Sequence, residues 1–358
     1  MGHAVSGLPT AIKERRAPVR VGLRLGFIAL NDCAPLVVAQ ELGFFARHGL
    51  SVTLKREVGW ATIREKVLFG ELDAAHAPAG MVIAATCGLR CSAEPCVTGL
   101  VLNLHGNAIV LSQRLYRAGV RDGHTLREHL QRRRDSLTFG VVYQWSSHHV
   151  LLREWLRAHG IAPDRDVDIV VVPPSQVFAN LKAGHLDGYC VGEPWASLAV
   201  QQRSGWVVAR SAELAPSHPE KVLMVRKSFA STSREEHLAL VAALLEACAF
   251  CDLPQNREEL IRLLARREYV GTSVDALRMS MAGAYDFGYG RIEDCAGFNI
   301  FSDREANAPT PTKARWVIDG LVRTGLVESL PANLAETCFR MDLYDQARAQ
   351  LRGRVLAI

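Results

Sequence analysis

Apolar and polar positions follow one grammar twice along the first two thirds of the chain. "LRLGFI" (23–28) alternates as a strand, and "APLVVAQELGFFARHG" after it carries apolar residues at helical spacing and closes on His48-Gly49. "SVTLKRE" alternates again, "WATIREKVLFG" reads as a helix closed by Gly70, and "LDAAHAP" as a third strand. The order returns as "LTFGVV", "HHVLLREWLRAHG", "DIVVVPP", "QVFANLKAG" and "LDGYCVG", and Gly26, Gly70 and Asp73 recur 114 positions later as Gly140, Gly184 and Asp187. Strand, helix, strand, helix, strand predicts a βαβαβ unit with parallel pairing. Two copies predict an α/β protein of two similar lobes.

Ligands of open α/β sheets sit beyond the carboxyl ends of the strands, where helix N-termini present free N–H groups. The turns at those ends are Asn31 to Cys33, Gly59 and Trp60, and His76 to Pro78 in the first copy. In the second they are Gln144 to His148, Pro173 to Gln176, and Gly192 to Trp195. Opposed lobes bring both sets into one cleft that traps a ligand on closing. The tail from Ser228 reads as helices, among them "REEHLALVAALLEACAF", "SVDALRMSMAGAY" and "PTKARWVIDGLVRTGLV". Their apolar spacing predicts packing on the outside of the first lobe.

The length of 358 residues with 49% apolar content accommodates two such units. No apolar run approaches the roughly 20 residues of a membrane span. "MGHAVSGLPTAIKERRAPVR" holds neither an apolar core with a small-residue cleavage site nor a lipid-attachment cysteine, which leads to the expectation of a cytoplasmic protein away from the membrane. Nine scattered cysteines fit a reducing compartment. "CAFC" (248–251) and "CGLRCSAEPC" (87–96) each lack the further ligands of a zinc site, so no metal or cofactor is expected. The net charge of +5 suits an anionic small molecule or an acidic partner surface. "LREHLQRRRD" (126–135) mixes signs without aromatic residues, so direct nucleic-acid binding is not expected.

Four blocks in order, "FIALNDCAPLVVAQELGFFARHGLSVTLKREVGWATIREKVLFGELDAAHAPAGM", "LNLHGNAIVLS", "CVGEPW" and "HPEKVLMVRK", resemble the nitrate- and bicarbonate-binding proteins of ABC importers. The resemblance runs from about Val19 to the C-terminus. It implies a two-lobed periplasmic-binding-protein type II clamshell with extra C-terminal helices: a flexible N-terminus over 1–18, one lobe from 19–107 and 226–358, the other from 108–225. The bare N-terminus resembles the cytoplasmic NasS-type nitrate/nitrite sensors of that family, which bind a NasT-type antiterminator protein and release it when the anion binds. By the same resemblance the anion is surrounded by Trp60, Asn107, His148, Gly192, Glu193 and Lys221. Bicarbonate-binding members resemble this chain but carry an acid of a calcium site where Lys221 stands.

The residue types suit that task. Nitrate is planar, singly charged and weakly basic, so its site needs a flat face, aimed donors and one positive charge. Trp60, between Gly59 and the small Ala61-Thr62, offers a face, although a tryptophan after a strand also fills cores. Lys221 offers charge, and His148 in a first helical turn, with Ser146 or Ser147 as its N-cap, offers a hydrogen bond. Asn107 follows Gly106 at the start of a strand expected to cross between lobes, where an amide donates to an oxygen or simply makes a turn. Some members carry glutamine at this position. Pro194 suits the first turn of a helix whose N–H groups attract an anion. Glu193 is awkward beside an anion, and its charge is expected to be tied to Lys221 or His148, leaving backbone N–H near Gly192 for the ligand.

An enzyme of the same fold, of the pyrimidine-precursor synthase or desulfinase type, is the alternative class. Cys190 is its candidate nucleophile, but it lies in an alternating strand without an evident His-Asp or His-Asn partner, so packing and no catalytic role are expected. An anion-binding component of a nitrate ABC importer is the other alternative.

Overall fold

The computed structural model describes residues 22–132, 136–294 and 297–355, with the side chains beyond Leu351 left aside, so the N-terminus expected to be flexible lies outside the described residues. Two sheets form the frame. The first pairs Leu23–Ile28 in parallel with Val52–Glu57 and Ala74–Pro78, and continues through the antiparallel strands Pro219–Arg226 and Val101–His105. The second pairs Leu137–Val141 in parallel with Val167–Val171 and Gly188–Gly192, and continues through Asn107–Ser112 and Gly205–Arg210.

The 114-residue repeat is a repeat of register. Leu25 and Gly26 pair with Ala74 and Ala75, as Phe139 and Gly140 pair with Gly188 and Tyr189. A Cβ on Gly26 would stand 2.5 Å from the Leu72 side chain, and one on Gly140 would stand 2.9 Å from Leu186. Each glycine thus lets the leucine before the third strand press onto the first. Each repeated aspartate ties the same two strands, Asp73 accepting from Arg24 N at 2.8 Å and Asp187 from Thr138 N at 3.0 Å. Gly70 and Gly184 close their helices with φ of 76° and 80°, a conformation that costs other residues a Cβ clash.

Where the chain changes lobe, the expected boundaries shift. The first crossing is His105-Gly106, both left-handed, with Asn107 already in the second sheet. The second falls before Pro219 rather than at residue 226. Strand Pro219–Arg226 is needed in the first sheet to fill the gap between Ala74–Pro78 and Val101–His105. The tail also departs from expectation. Helix Arg234–Asp252 packs on the first lobe with Cys248 and Cys251 fully buried. Helix Pro311–Arg323, in contrast, reaches the second lobe, where Arg323 pairs with Glu154 and Gly320 lies against Val150. The run expected as helix to Tyr285 ends at Met281, and Ala284–Gly288 forms a hairpin with Arg291–Asp294 that grips the second sheet through Arg210 and Glu293 at 2.9 Å.

Candidate functional site

The lobes meet closely. A Cβ on Gly80, in the first turn of helix Ala79–Thr86, would stand 2.0 Å from the Trp145 carbonyl of the other lobe. Trp195 Nε1 donates to Ala29 O at 3.1 Å, and Asn31 N to Glu193 O at 2.8 Å. Between these contacts lies a polar cluster sealed from solvent.

Lys221 is its centre. Its ammonium donates to Asp32 at 2.8 Å and to Glu220 at 2.7 Å, with no exposed surface. Burial disfavours the charge, but the two carboxylates outweigh it and raise the lysine's pKa. Trp60 opens helix Trp60–Leu68, with its ring 5.5 Å from the Lys221 nitrogen and 5.4 Å from the His76 ring. His76 pairs with Asp32 at 2.8 Å. Burial works to raise the Asp32 pKa, and the Lys221 charge together with the hydrogen bonds from Lys221 and His76 overcomes it and holds the group well below the usual carboxylate range.

The second lobe supplies helix Ser147–Ala158, capped by Ser146, whose Oγ accepts from His149 N at 3.3 Å. That leaves the Ser147 hydroxyl free to donate to Glu220. His148 sits one residue on, its Nε2 3.7 Å from Glu220 Oε1. Burial drives its pKa down to about 4, so it is a neutral imidazole. Asn107 Nδ2 donates to Glu220 Oε2 at 2.6 Å, and Asn107 is the register partner of Gly192. A Cβ on Gly192 would touch Asn107 Oδ1 at 3.4 Å and Asp32 Oδ2 at 3.6 Å, so the glycine keeps the strand end flush with the cluster.

Five of the six expected residues therefore converge: Trp60, Asn107, His148, Gly192 and Lys221. Glu193 does not join them as expected. Its side chain turns away from Lys221 and His148 to accept from Tyr285 at 2.5 Å and from Ser197 N at 3.0 Å, because Lys221 is already held by two nearer acids. Burial without a cation pushes Glu193 up to about 7. Cys190 is buried in strand Gly188–Gly192, its thiol pKa raised far by burial, as a packing residue's would be.

Sequence reasoning missed Asp32, His76 and Ser147 as partners, although all three fall in turns assigned to the cleft. It missed Glu220 altogether. Strand alternation predicts opposite faces for Glu220 and Lys221, but the register shifts on both sides of Lys221 bring both into the cluster.

Several groups at this site are buried without a hydrogen-bond partner: Trp60 Nε1, both ring nitrogens of His148, His76 Nδ1 and Asn107 Oδ1. Buried polar groups are normally satisfied, and a cluster of exceptions at an interlobe seam marks where a small polar ligand completes the bonding.

Known proteins fit this geometry. Residues 16–265 match the NMT1-like family. The chain is 41% identical over 335 residues to the nitrate import ATP-binding protein NrtC of Synechocystis, covering 92% of this chain and 50% of that one. It thus spans about half the length of that relative. It is 32% identical over 371 residues to the nitrate/nitrite binding protein NrtA of Synechococcus elongatus, covering 99% and 83%. The crystal structure of the periplasmic nitrate-binding protein NrtA from Synechocystis superimposes with a TM-score of 0.88 at 28% identity, over 92% of this chain and 89% of that one. The fold is the type II periplasmic-binding-protein clamshell, and the chain belongs to the NMT1-like family as a homologue of the nitrate/nitrite-binding proteins.

Proposed function

We propose that the chain is a cytoplasmic nitrate/nitrite sensor that takes the anion between its two lobes and, on binding it, releases a NasT-type antiterminator. The observation that carries the ligand half is the set of unpartnered groups around Lys221, above all the Trp60 indole N–H and the His148 ring, buried where the lobes meet. A planar monoanion offers acceptors to both and charge to Lys221.

The sensor half draws support from the relatives. Identity to half of an ATP-binding protein, at 41%, exceeds identity to the binding protein NrtA of Synechococcus, at 32%. A polypeptide that binds ATP works where ATP is present, so a module of this kind has a place on that side of a membrane. The interlobe seam offers the switch, since a partner that grips both lobes binds one arrangement of them better than another, and an anion entering the seam changes the contacts that set the arrangement. The second reading is the anion-binding component of an importer, supported by the likeness to a periplasmic nitrate-binding protein.

Co-purification separates the two. A sensor is recovered with the antiterminator in nitrate-free buffer and loses it when nitrate is added. A monomer indifferent to the antiterminator at every nitrate concentration supports the importer reading.

One atom favours a different anion. Asn107 Oδ1 is buried without a donor, and bicarbonate carries an O–H that nitrate and nitrite lack. A titration series with nitrate, nitrite, bicarbonate and a sulfinate, followed by tryptophan fluorescence, ranks them.

A further inference from the structure

Glu220 occupies the site as a ligand would. Its carboxylate is a planar monoanion with delocalised charge, the same chemical class as nitrite and nitrate. One oxygen accepts from the Lys221 ammonium at 2.7 Å, and the other from Asn107 Nδ2 at 2.6 Å and from the Ser147 hydroxyl. His148 Nε2 and His218 Nδ1 each lie 3.7 Å from it. Asn107, His148 and Lys221 are three of the residues that the nitrate-binding resemblance puts around the anion. Two of them already donate to Glu220, and the third is its near neighbour.

The bond pattern also spans the cleft. Glu220 lies on strand Pro219–Arg226 of the first sheet, Ser147 and His148 on the first turn of a second-lobe helix, and Asn107 at the start of the second sheet. The carboxylate therefore draws the lobes together with no external ion.

Charge counting gives the same result. Lys221 contributes one positive charge against the two carboxylates of Asp32 and Glu220. The facing histidines, His148 from the helix, His218 from the segment before the strand and His76 behind Asp32, are neutral because burial lowers their pKa values. Cys190 is held as a thiol by burial, and His105, whose ring lies 5.4 Å from that of His218 on the adjoining strand, is likewise pushed toward the neutral form by burial. The cluster already carries one net negative charge, and a further monoanion in this desolvated place meets repulsion unless a carboxylate leaves or a proton enters.

We propose that Glu220 is a built-in pseudo-ligand, a tethered anion that holds the clamp closed and competes with the external anion for Asn107, Ser147 and Lys221. The inference rests on the proposed anion-binding reading for its competitive half and stands apart from it for its closure half. Nitrate entry then displaces the Glu220 side chain or brings a proton to the cluster, so affinity rises as pH falls.

The test uses the full chain, Glu220→Gln and Glu220→Ala. Gln keeps the shape and removes the charge, and so guards against a variant that fails to fold. Nitrate titration is expected to show at least tenfold tighter binding in both variants, with less dependence on pH. Small-angle scattering in anion-free buffer is expected to show the wild type compact and Glu220→Ala expanded. Unchanged or weaker nitrate binding in both variants, or an anion-free Glu220→Ala as compact as the wild type, overturns the proposal. If no variant responds to nitrate but Glu220→Ala still opens, the closure half stands and the nitrate reading has failed.

Discussion

Gly80 and the carbonyl oxygen of Trp145 face each other across the interlobe seam so closely that a Cβ on Gly80 would lie 2.0 Å from that oxygen. Backbone meets backbone there, and neither side has a flexible end to move. Gly80→Ala is therefore expected to prop the lobes apart while each lobe stays folded. Scattering should show an expanded particle, and anion affinity should fall by at least tenfold. A variant as compact as the wild type with unchanged affinity would show that closure does not use this contact.

Lys221 compensates two fully buried acids. Lys221→Met leaves the buried carboxylates of Asp32 and Glu220 without their shared cation, and removing one partner of a buried pair typically costs about 3–5 kcal/mol. Urea denaturation should show a loss of that order, and Glu220→Gln in the same chain should recover part of it. A loss below about 1 kcal/mol, the size of a surface pair, contradicts the assignment.

The buried histidines set the response to acid. His148, His149, His218 and His237 are held neutral by burial with pKa values near 4, below the ordinary value of 6.5. The unfolded chain takes up their protons first as pH falls below 6.5, so stability is lost from there down through about 4. Glu193, pushed up to about 7 by burial, acts in the opposite sense: its contribution is full below its unfolded value of 4.5 and is lost as pH rises through 7. Denaturation midpoints should fall from pH 6.5 to pH 5. Glu193→Gln should steepen that fall by up to about 1.4 kcal/mol per pH unit, the weight of one proton. A fall of equal slope in the variant would mean that Glu193 is ionised throughout.

Much of the architecture was legible because the chain states it twice. Gly26 and Gly140, Gly70 and Gly184, and Asp73 and Asp187 each do one structural job in each lobe, and the matching jobs are what make the repeat visible. Trp60, Asn107, His148, Gly192 and Lys221 were reachable because strand ends and helix starts place them, and the family blocks mark them. Glu220 was hidden by a local irregularity, since period-two alternation sends it away from Lys221 until the register shifts. The partner of Glu193 was hidden by distance. Tyr285 lies 92 residues downstream, past Gly283 with φ of 99°, in a hairpin that helical periodicity had absorbed into the preceding helix.

Cys190 tests the enzyme alternative. Its side chain packs among Ile109, Phe139 and Val141 behind the site, with 1% exposure. Cys190→Ala should lower stability by about 1–2 kcal/mol through the small cavity left and leave anion affinity unchanged. Loss of binding with stability intact would give the thiol a role at the ligand.

Calorimetric titration of the wild type and Trp60→Ala with nitrate and nitrite tests the central claim, a two-lobed clamp for a planar monoanion, most directly. The account predicts a saturable micromolar response of the wild type to at least one of the two, and at least a tenfold weaker response of the variant. Absence of any micromolar response in the wild type, or equal affinity in both proteins, would contradict it.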